Sequence, residues 1–388
     1  MEQMRADLHV HVDGAINKEN IINALKKAER DGCKKFCLLE HNNLNVLEPI
    51  CEILKEGSLR DYYSGELFLG CEYDNIIDAH HQNSDGSCYD GFVSHILVYM
   101  PFEDALKLKQ DKILHARNKM ADYAADYKKL MERIDELGDI PKPTMEELIS
   151  QETPHIVKDL QKWVTSDRNR RIAYLDALQT VPRVIDYPSD FIRNLAQNPN
   201  GKLFYKPEGV PYSSELLKII RTETPEAKVI LAHPAWMQAS FNMENYLETM
   251  MSLDEKVGQK AFDGIEVCYY LNSKEEQDFL EKYATERNLL QTAGSDSIKV
   301  DGEMYYMHKG EKFFFVPEFG NAMGTAFDMG NIEVMPDGDK NVIHTVKGGS
   351  PLVVESQLFE DIKVDENEAK EILNAKQPKE TKEMGMWA

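Results

Sequence analysis

The chain has 388 residues, of which 42% are hydrophobic, and it carries a formal net charge of −22 at pH 7. This length accommodates one large α/β barrel with an addition, or two ordinary domains. The acidic surface disfavours tight nonspecific binding of nucleic acid, although a bound metal would still allow a small phosphorylated ligand. The six cysteines form no Cys-x-x-Cys pair, and no apolar run suits a signal peptide or a membrane span, so we expect a cytoplasmic protein with no membrane partner.

The first hundred residues alternate between short apolar strands and amphipathic helices. The pattern predicts strands at residues 6–10, 36–39, 67–73 and 92–99, with helices over residues 18–32 and 44–54. Polar residues recur at the carboxyl ends of these strands. This alternation predicts a parallel sheet or barrel whose functional site lies at that edge.

The composition changes between residues 103 and 225. Charged stretches with a helical pattern lie at 112–137 and 144–163, and they are separated by Pro141 and Pro143. The strand pattern then resumes at residues 228–232, 264–267 and 289–293. We therefore expect a barrel in two parts, residues 1–102 and 226–300, with a helical insertion at 103–225. Residues 301–388 form a C-terminal extension of unassigned role, in which β-hairpins are expected.

The strongest local signal is the pair His9 and His11 at the end of the first predicted strand. Residues two apart on a strand point to the same side, so both imidazoles can reach one metal ion. Two chance histidines in a half-buried strand are the alternative. Acid and imidazole residues recur at the ends of later strands, which favours the metal site: His41, Glu72, His95, His233 and Asp296. The alternative role for Asp296 is a helix N-cap.

These motifs, in this order, resemble the polymerase-and-histidinol-phosphatase (PHP) family. The motifs are Asp7-Leu8-His9-Val10-His11, Glu40-His41, Gly70-Cys71-Glu72, Ser94-His95-Ile96-Leu97, Ala232-His233-Pro234, Gly264-Ile265-Glu266-Val267 and Gly294-Ser295-Asp296. The resemblance spans residues 6–300 and implies a distorted (β/α)7 TIM-like barrel. It also implies a metal-dependent phosphoesterase, a phosphatase or phosphodiesterase, that hydrolyses a small phosphomonoester or nucleotide with a metal-activated water.

The resemblance further implies two or three divalent ions, for which His and carboxylate ligands suit Mn, Zn or Fe. It assigns one ion to His9, His11, Glu72 and Asp296, a second to Glu72, His95 and His233, and a third to Asp13 and His41. His41 and Asp296 are then candidate catalytic residues, and His41, if no third ion holds it, would protonate the leaving oxygen. In the insertion, Arg117 and His155 are candidates for gripping the phosphate; a solvated helix arginine is the alternative for Arg117.

Three departures from the family pattern bear on these assignments. Ile298 stands where the family has a histidine, so a third ion site is expected to be weak or empty. Glu40 replaces an aspartate, with Asn42 beyond His41, and the segment around Asp13 is compressed. That compression makes residues 9–16 resemble the opening motif of adenosine deaminases, whose later motifs are missing here. An adenosine-deaminase-like amidohydrolase, or a non-catalytic sensor of phosphate or nucleotide, therefore stays open.

Overall fold

Short strands and helices alternate along the barrel part of the chain, as the sequence predicts. The computed structural model describes residues 3–12, 15–84, 86, 89, 93–110, 210–235, 242–269, 272, 274–296, 304–308, 311–315, 319, 332–337, 340–346, 353–355 and 360–375. The strands are β1 (Gln3–Val10), β2 (Lys35–Leu38), β3 (Glu66–Ile76), β4 (Val93–Tyr99), β5 (Lys228–Leu231), β6 (Gly264–Tyr269), β7 (Leu290–Gly294), β8 (Met304–His308), β9 (Glu311–Phe315), β10 (Ile332–Asp337), β11 (Lys340–Val346) and β12 (Val353–Glu355). The helices are α1 (Lys18–Arg30), α2 (Leu47–Glu56), α3 (Phe102–Gln110), α4 (Ser213–Glu223), α5 (Met243–Met251), α6 (Leu253–Val257), α7 (Lys274–Glu286) and α8 (Glu366–Ala375).

Helix α1 illustrates how the helices cover the sheet. The side chain of Asn17 caps the helix by accepting a hydrogen bond of 2.9 Å from the backbone N–H of Asn20. Its apolar residues, spaced three and four apart, are buried in the main hydrophobic core: Ile21, Ala24, Leu25 and Ala28. The chain then turns at Gly32, whose φ of 73° lies in the left-handed region that favours glycine, and enters the fully buried strand β2.

Strands β1 to β7 form one curved, nearly closed sheet in chain order, which confirms the expected mixed α/β, TIM-like barrel. One strand departs from the parallel arrangement, because β4 runs antiparallel to both β3 and β5. The cross-strand pairs place His95 opposite Asp74, and Leu97 opposite Glu72. Because β4 is reversed, its beginning lies at the edge where β3 ends. His95 therefore reaches the site from the start of a strand, not from its end as predicted.

The sheet is closed where β7 approaches β1. The backbone N–H of Asp296 donates to the carbonyl oxygen of His9 at 2.8 Å, and that of Ser295 donates to the Asp7 carboxylate at 2.9 Å. At the other end of the barrel, where β1 begins, β12 pairs antiparallel with the first residues of β1 and also contacts β7. The C-terminal extension thus completes the barrel at one end, while the turn after β7 completes it at the other.

The rest of the extension confirms the expected hairpins. Strands β8 and β9 pair antiparallel, as do β10 and β11, and these four strands make a second sheet in the order β10-β11-β9-β8. The chain then returns to the barrel, where the backbone N–H of Val364 donates to Leu67 and the carboxylate of Glu366 accepts from Ser58 at 2.6 Å.

Residues 111–209 lie outside the described part, so the helical character of the insertion and the domain boundaries stay predictions. Helix α4, at the end of this segment, is fastened to the carboxyl end of β3. The hydroxyl of Ser213 donates to Asn75 at 2.5 Å, and that of Ser214 donates to the Asp78 carboxylate at 2.6 Å. Among the described helices, none is both long and apolar enough to cross a membrane.

Candidate metal centre

Four side chains from three parts of the barrel meet at the edge where β1 and β3 end and the turn after β7 begins. His11 Nε2 lies 3.0 Å from Glu72 Oε2 and 3.1 Å from Asp296 Oδ1. His9 Nε2 lies 3.3 Å from the same Glu72 oxygen and 3.5 Å from the same Asp296 oxygen. Their donor atoms lie within 4.8 Å of one another, so this first group could surround a single ion.

A second group shares Glu72 with the first. His95 Nδ1 lies 2.7 Å from Glu72 Oε1, and His233 Nε2 lies 3.3 Å from that same oxygen. The two ring nitrogens are 3.3 Å apart. The oxygens of Glu72 are therefore divided, with Oε2 facing the first group and Oε1 facing the second. A carboxylate in this position can bridge two ions.

The chemistry of these atoms fits divalent metal ions. Within the described part of the chain, His9 Nε2, both ring nitrogens of His11 and Glu72 Oε2 are buried and make no hydrogen bond. Buried polar atoms without partners are costly, and three of these atoms, His9 Nε2, His11 Nε2 and Glu72 Oε2, face one another in the first group. Imidazole nitrogens combined with carboxylate oxygens are ligands that zinc, manganese and iron all accept.

The charges of the site are strongly coupled. Burial raises the pKa of Glu72, but His41, His95 and His9 outweigh it and hold that pKa well below its usual range. Burial likewise lowers the pKa of His11, yet the adjacent Asp296 and Glu72 carboxylates raise it to about 9. The Glu72 carboxylate is therefore kept ionised beside a protonated His11, and a metal ion bound here would replace that proton.

Glu266, which is fully buried on β6, holds both groups in place. Its Oε1 lies 3.1 Å from His9 Nδ1, so His9 presents Nε2 to the first group. Its Oε2 accepts a hydrogen bond of 2.8 Å from the backbone N–H of His233, whose φ of 24° is unusual for a non-glycine residue. Glu266 belongs to one of the predicted motifs, but no role was predicted for it. A carboxylate inside an apolar strand is the sequence feature that could have indicated one.

His41 lies at the rim of the site and has a side chain that is 15% exposed. Its Nδ1 lies 3.1 Å from Glu72 Oε2, and its ring stacks on that of His11 with centroids 4.4 Å apart. Next to it is Asp74, which the sequence analysis missed because the strand was expected to end at Tyr73. Strand β3 continues to Ile76, so Asp74 points to the same side as Glu72.

The remaining predicted site residues are Asp13, Arg117 and His155, and they lie outside the described residues, as does Ile298. The structure thus brings together seven of the predicted positions: His9, His11, His41, Glu72, His95, His233 and Asp296.

The comparisons with known proteins are weak. No protein-family model matches the chain, and no curated protein matches it. A provisionally assigned metal-dependent phosphoesterase from Bifidobacterium adolescentis is 19% identical over 76% of this chain and 89% of its own, with a TM-score of 0.43. An amidohydrolase from Chromobacterium violaceum, solved with bound sulfate and no metal, is 16% identical over 76% of this chain and 87% of its own, with a TM-score of 0.42. Membership of the PHP family stays a prediction.

Proposed function

We propose that this chain is a metal-dependent phosphoesterase that hydrolyses a small phosphorylated molecule using two divalent ions. The observation that carries the proposal is the position of Glu72, which is buried and divides its two oxygens between two groups of possible ligands. The order of the motifs along the sequence supports the same reading. A site with one group only would suit a deaminase equally well.

Bound divalent ions would supply Lewis-acid stabilisation of the phosphoryl oxygens and would lower the pKa of a nearby water towards neutrality. His9, His11, Glu72 and Asp296 would hold the first ion. Glu72, His95 and His233 would hold the second.

Two side chains of the site are open to a substrate. His41 is 15% exposed, and in the proposed reaction its ring donates a proton to the leaving oxygen. The Asp296 side chain is 23% exposed, and its Oδ2 accepts a hydrogen bond of 3.0 Å from Tyr269. That bond fixes the carboxylate so that it can accept a hydrogen bond from the attacking water and orient it. Arg117 and His155 remain proposed contacts to the phosphate.

The test is release of inorganic phosphate from nucleoside monophosphates, sugar phosphates and p-nitrophenyl phosphate, with added Mn²⁺ or Zn²⁺. We expect turnover that EDTA abolishes. Replacing Glu72 with alanine should reduce kcat/KM by more than about 100-fold, because the loss of a shared ligand should exceed the 10- to 100-fold effect typical of an outer-shell partner. Glu56→Ala, which removes a glutamate that is 66% exposed on α2, is the matched control and should leave turnover unchanged.

Two results would contradict the proposal. Saturable binding of the phosphorylated compounds with no release of phosphate would make the protein a sensor. Release of ammonia from adenosine, with phosphate esters left intact, would make it a deaminase.

A further inference from the structure

We infer that Asp74 is a positioning residue that fixes the proton of His95 on Nε2, so that Nδ1 is free to bind the second ion. The inference rests on the proposed metal centre and adds to it a residue outside both ligand groups. Asp74 is 6% exposed and is the direct cross-strand partner of His95 in the β3–β4 ladder. Its Oδ1 lies 3.1 Å from His95 Nε2, while His95 Nδ1 faces Glu72.

Asp74 and Asn42 are joined by a reciprocal pair of hydrogen bonds, one of which holds the Asp74 carboxylate. The backbone N–H of Asp74 donates to Asn42 Oδ1 at 2.9 Å, and Asn42 Nδ2 donates to Asp74 Oδ2 at 2.8 Å. The first bond fixes which end of the Asn42 amide is the oxygen, so the second bond requires an acceptor at the Oδ2 position. Asn42 itself has a φ of 56°, a conformation that non-glycine residues adopt infrequently.

The other oxygen of Asp74 is left for the histidines. Oδ1 is buried, and within the described residues it makes no aligned hydrogen bond, although His95 Nε2 lies 3.1 Å away and His41 Nδ1 lies 3.9 Å away. The distance suits a hydrogen bond that Nε2–H would donate to this oxygen once the His95 ring is oriented for it. A carboxylate that accepts from the second nitrogen of a ligand histidine fixes its tautomer and ring orientation.

The reciprocal pair makes Asp74→Asn an informative substitution. The new carbonyl oxygen must take the Oδ2 position, because Asn42 donates there. The new NH₂ group then faces His95 Nε2, which becomes an acceptor and loses its proton. The proton must move to Nδ1, the atom that should bind the ion. Asp74→Ala leaves the position open to water, so its effect should be smaller than that of Asp74→Asn.

Two measurements test the inference, and the first can be read with or without metal. In ¹⁵N-histidine-labelled protein, the His95 ring of the wild type should carry a proton on Nε2 with and without Zn²⁺, and in Asp74→Asn Nε2 should be unprotonated. In titration calorimetry with Zn²⁺, Asp74→Asn should weaken the second ion by about 100-fold and Asp74→Ala by about 10-fold, with the first ion unchanged. Asp78→Asn, a nearby buried aspartate on the same chain segment, is the matched control and should bind both ions as the wild type does.

An unprotonated Nε2 in the wild type would overturn the inference, as would undiminished affinity for the second ion in Asp74→Asn. Equal losses in the asparagine and alanine variants would also overturn it, since a merely structural role would not rank them. If the wild type binds no ion at all, the proposed function fails, whereas the proton on His95 still decides whether Asp74 fixes the ring.

Discussion

Gly294 is the last residue of β7 and lies where the two ends of the barrel sheet approach each other. A Cβ atom placed there would be 2.3 Å from the Cβ of His9 and 2.3 Å from Glu266 Oε1. Such distances are far inside van der Waals contact, so only a residue without a side chain permits this approach. The glycine of the Gly294-Ser295-Asp296 motif thus serves the packing of β7 on β1, and through it the position of His9.

Replacing Gly294 with alanine should lower the free energy of unfolding by about 1–3 kcal/mol, the usual cost of overpacking a buried site. Urea unfolding followed by circular dichroism measures this change. The control is Gly57→Ala after α2, where the nearest atom to the new Cβ is an Asp61 carboxylate oxygen at 3.3 Å. Equal stability of the two variants would show that β7 moves away from β1 without cost.

At the scale of residues, the candidate metal ligands could be predicted from the sequence, whereas the residues that hold those ligands in place could not. His9, His11 and Glu72 stand out because imidazoles and a carboxylate interrupt apolar strands. The predicted strand ends at Tyr73, one residue before Asp74, because polar residues normally end a strand pattern. Functional sites are where such local rules fail, since a buried carboxylate is retained for the partner it holds.

At the scale of elements, Asp78 ties the segment after β3 to two helices. Its carboxylate accepts from the Ser214 backbone N–H at 3.0 Å at the start of α4, and Lys256 Nζ on α6 lies 2.6 Å from it. Burial raises the pKa of Asp78, but the Lys256 ammonium and the Ser214 hydrogen bonds outweigh it and hold the pKa below its ordinary value of 3.8. The carboxylate is thus better stabilised in the folded chain than in the unfolded chain.

Asp78→Asn should destabilise the protein by about 1–3 kcal/mol at neutral pH, the range for hydrogen bonds to charged groups. Because the folded pKa is lowered, this stabilisation is present above pH 3.8 and is lost as the pH falls below 3.8 towards the folded value. The difference in unfolding free energy between wild type and variant should therefore shrink on acidification. Asp278→Asn, at a side chain 56% exposed on α7, is the control. A difference that stays constant down to pH 3 would contradict the assignment.

The elements themselves were largely predictable, because each strand or helix is specified by its own apolar period. The direction of β4 was not, since a short buried strand has the same composition whether it runs parallel or antiparallel. Strand β12 is only three residues long, Val353–Glu355, and nothing local indicates that it pairs with β1. Its place depends on β1 and β7, which come together only when the barrel forms.

At the scale of the molecule, both ligand groups join distant parts of the chain, so a bound ion should stabilise the whole barrel. Zn²⁺ or Mn²⁺ at about 100 times its Kd should add about 2.7 kcal/mol of stability and raise Tm by several degrees, and EDTA should reverse this. His9→Ala should lose most of the increase, whereas His80→Ala, at an exposed histidine outside both groups, should keep it. Differential scanning calorimetry checks this, and a Tm that no metal alters would contradict the metal centre.

The contact between the turn after β7 and β1 has a consequence for the order of folding. Ser295 and Asp7 are 288 positions apart, and Glu266 reaches His9 across 257. Contacts between residues so far apart in sequence form late in folding, because the entropy of closing a long loop is lost before the contact stabilises the chain. During synthesis, His9 and His11 emerge long before Glu266 and Asp296 exist. The first ligand group therefore cannot be complete in the nascent chain until Asp296 has been made and has packed against His9, whereas the second group needs the chain only as far as His233.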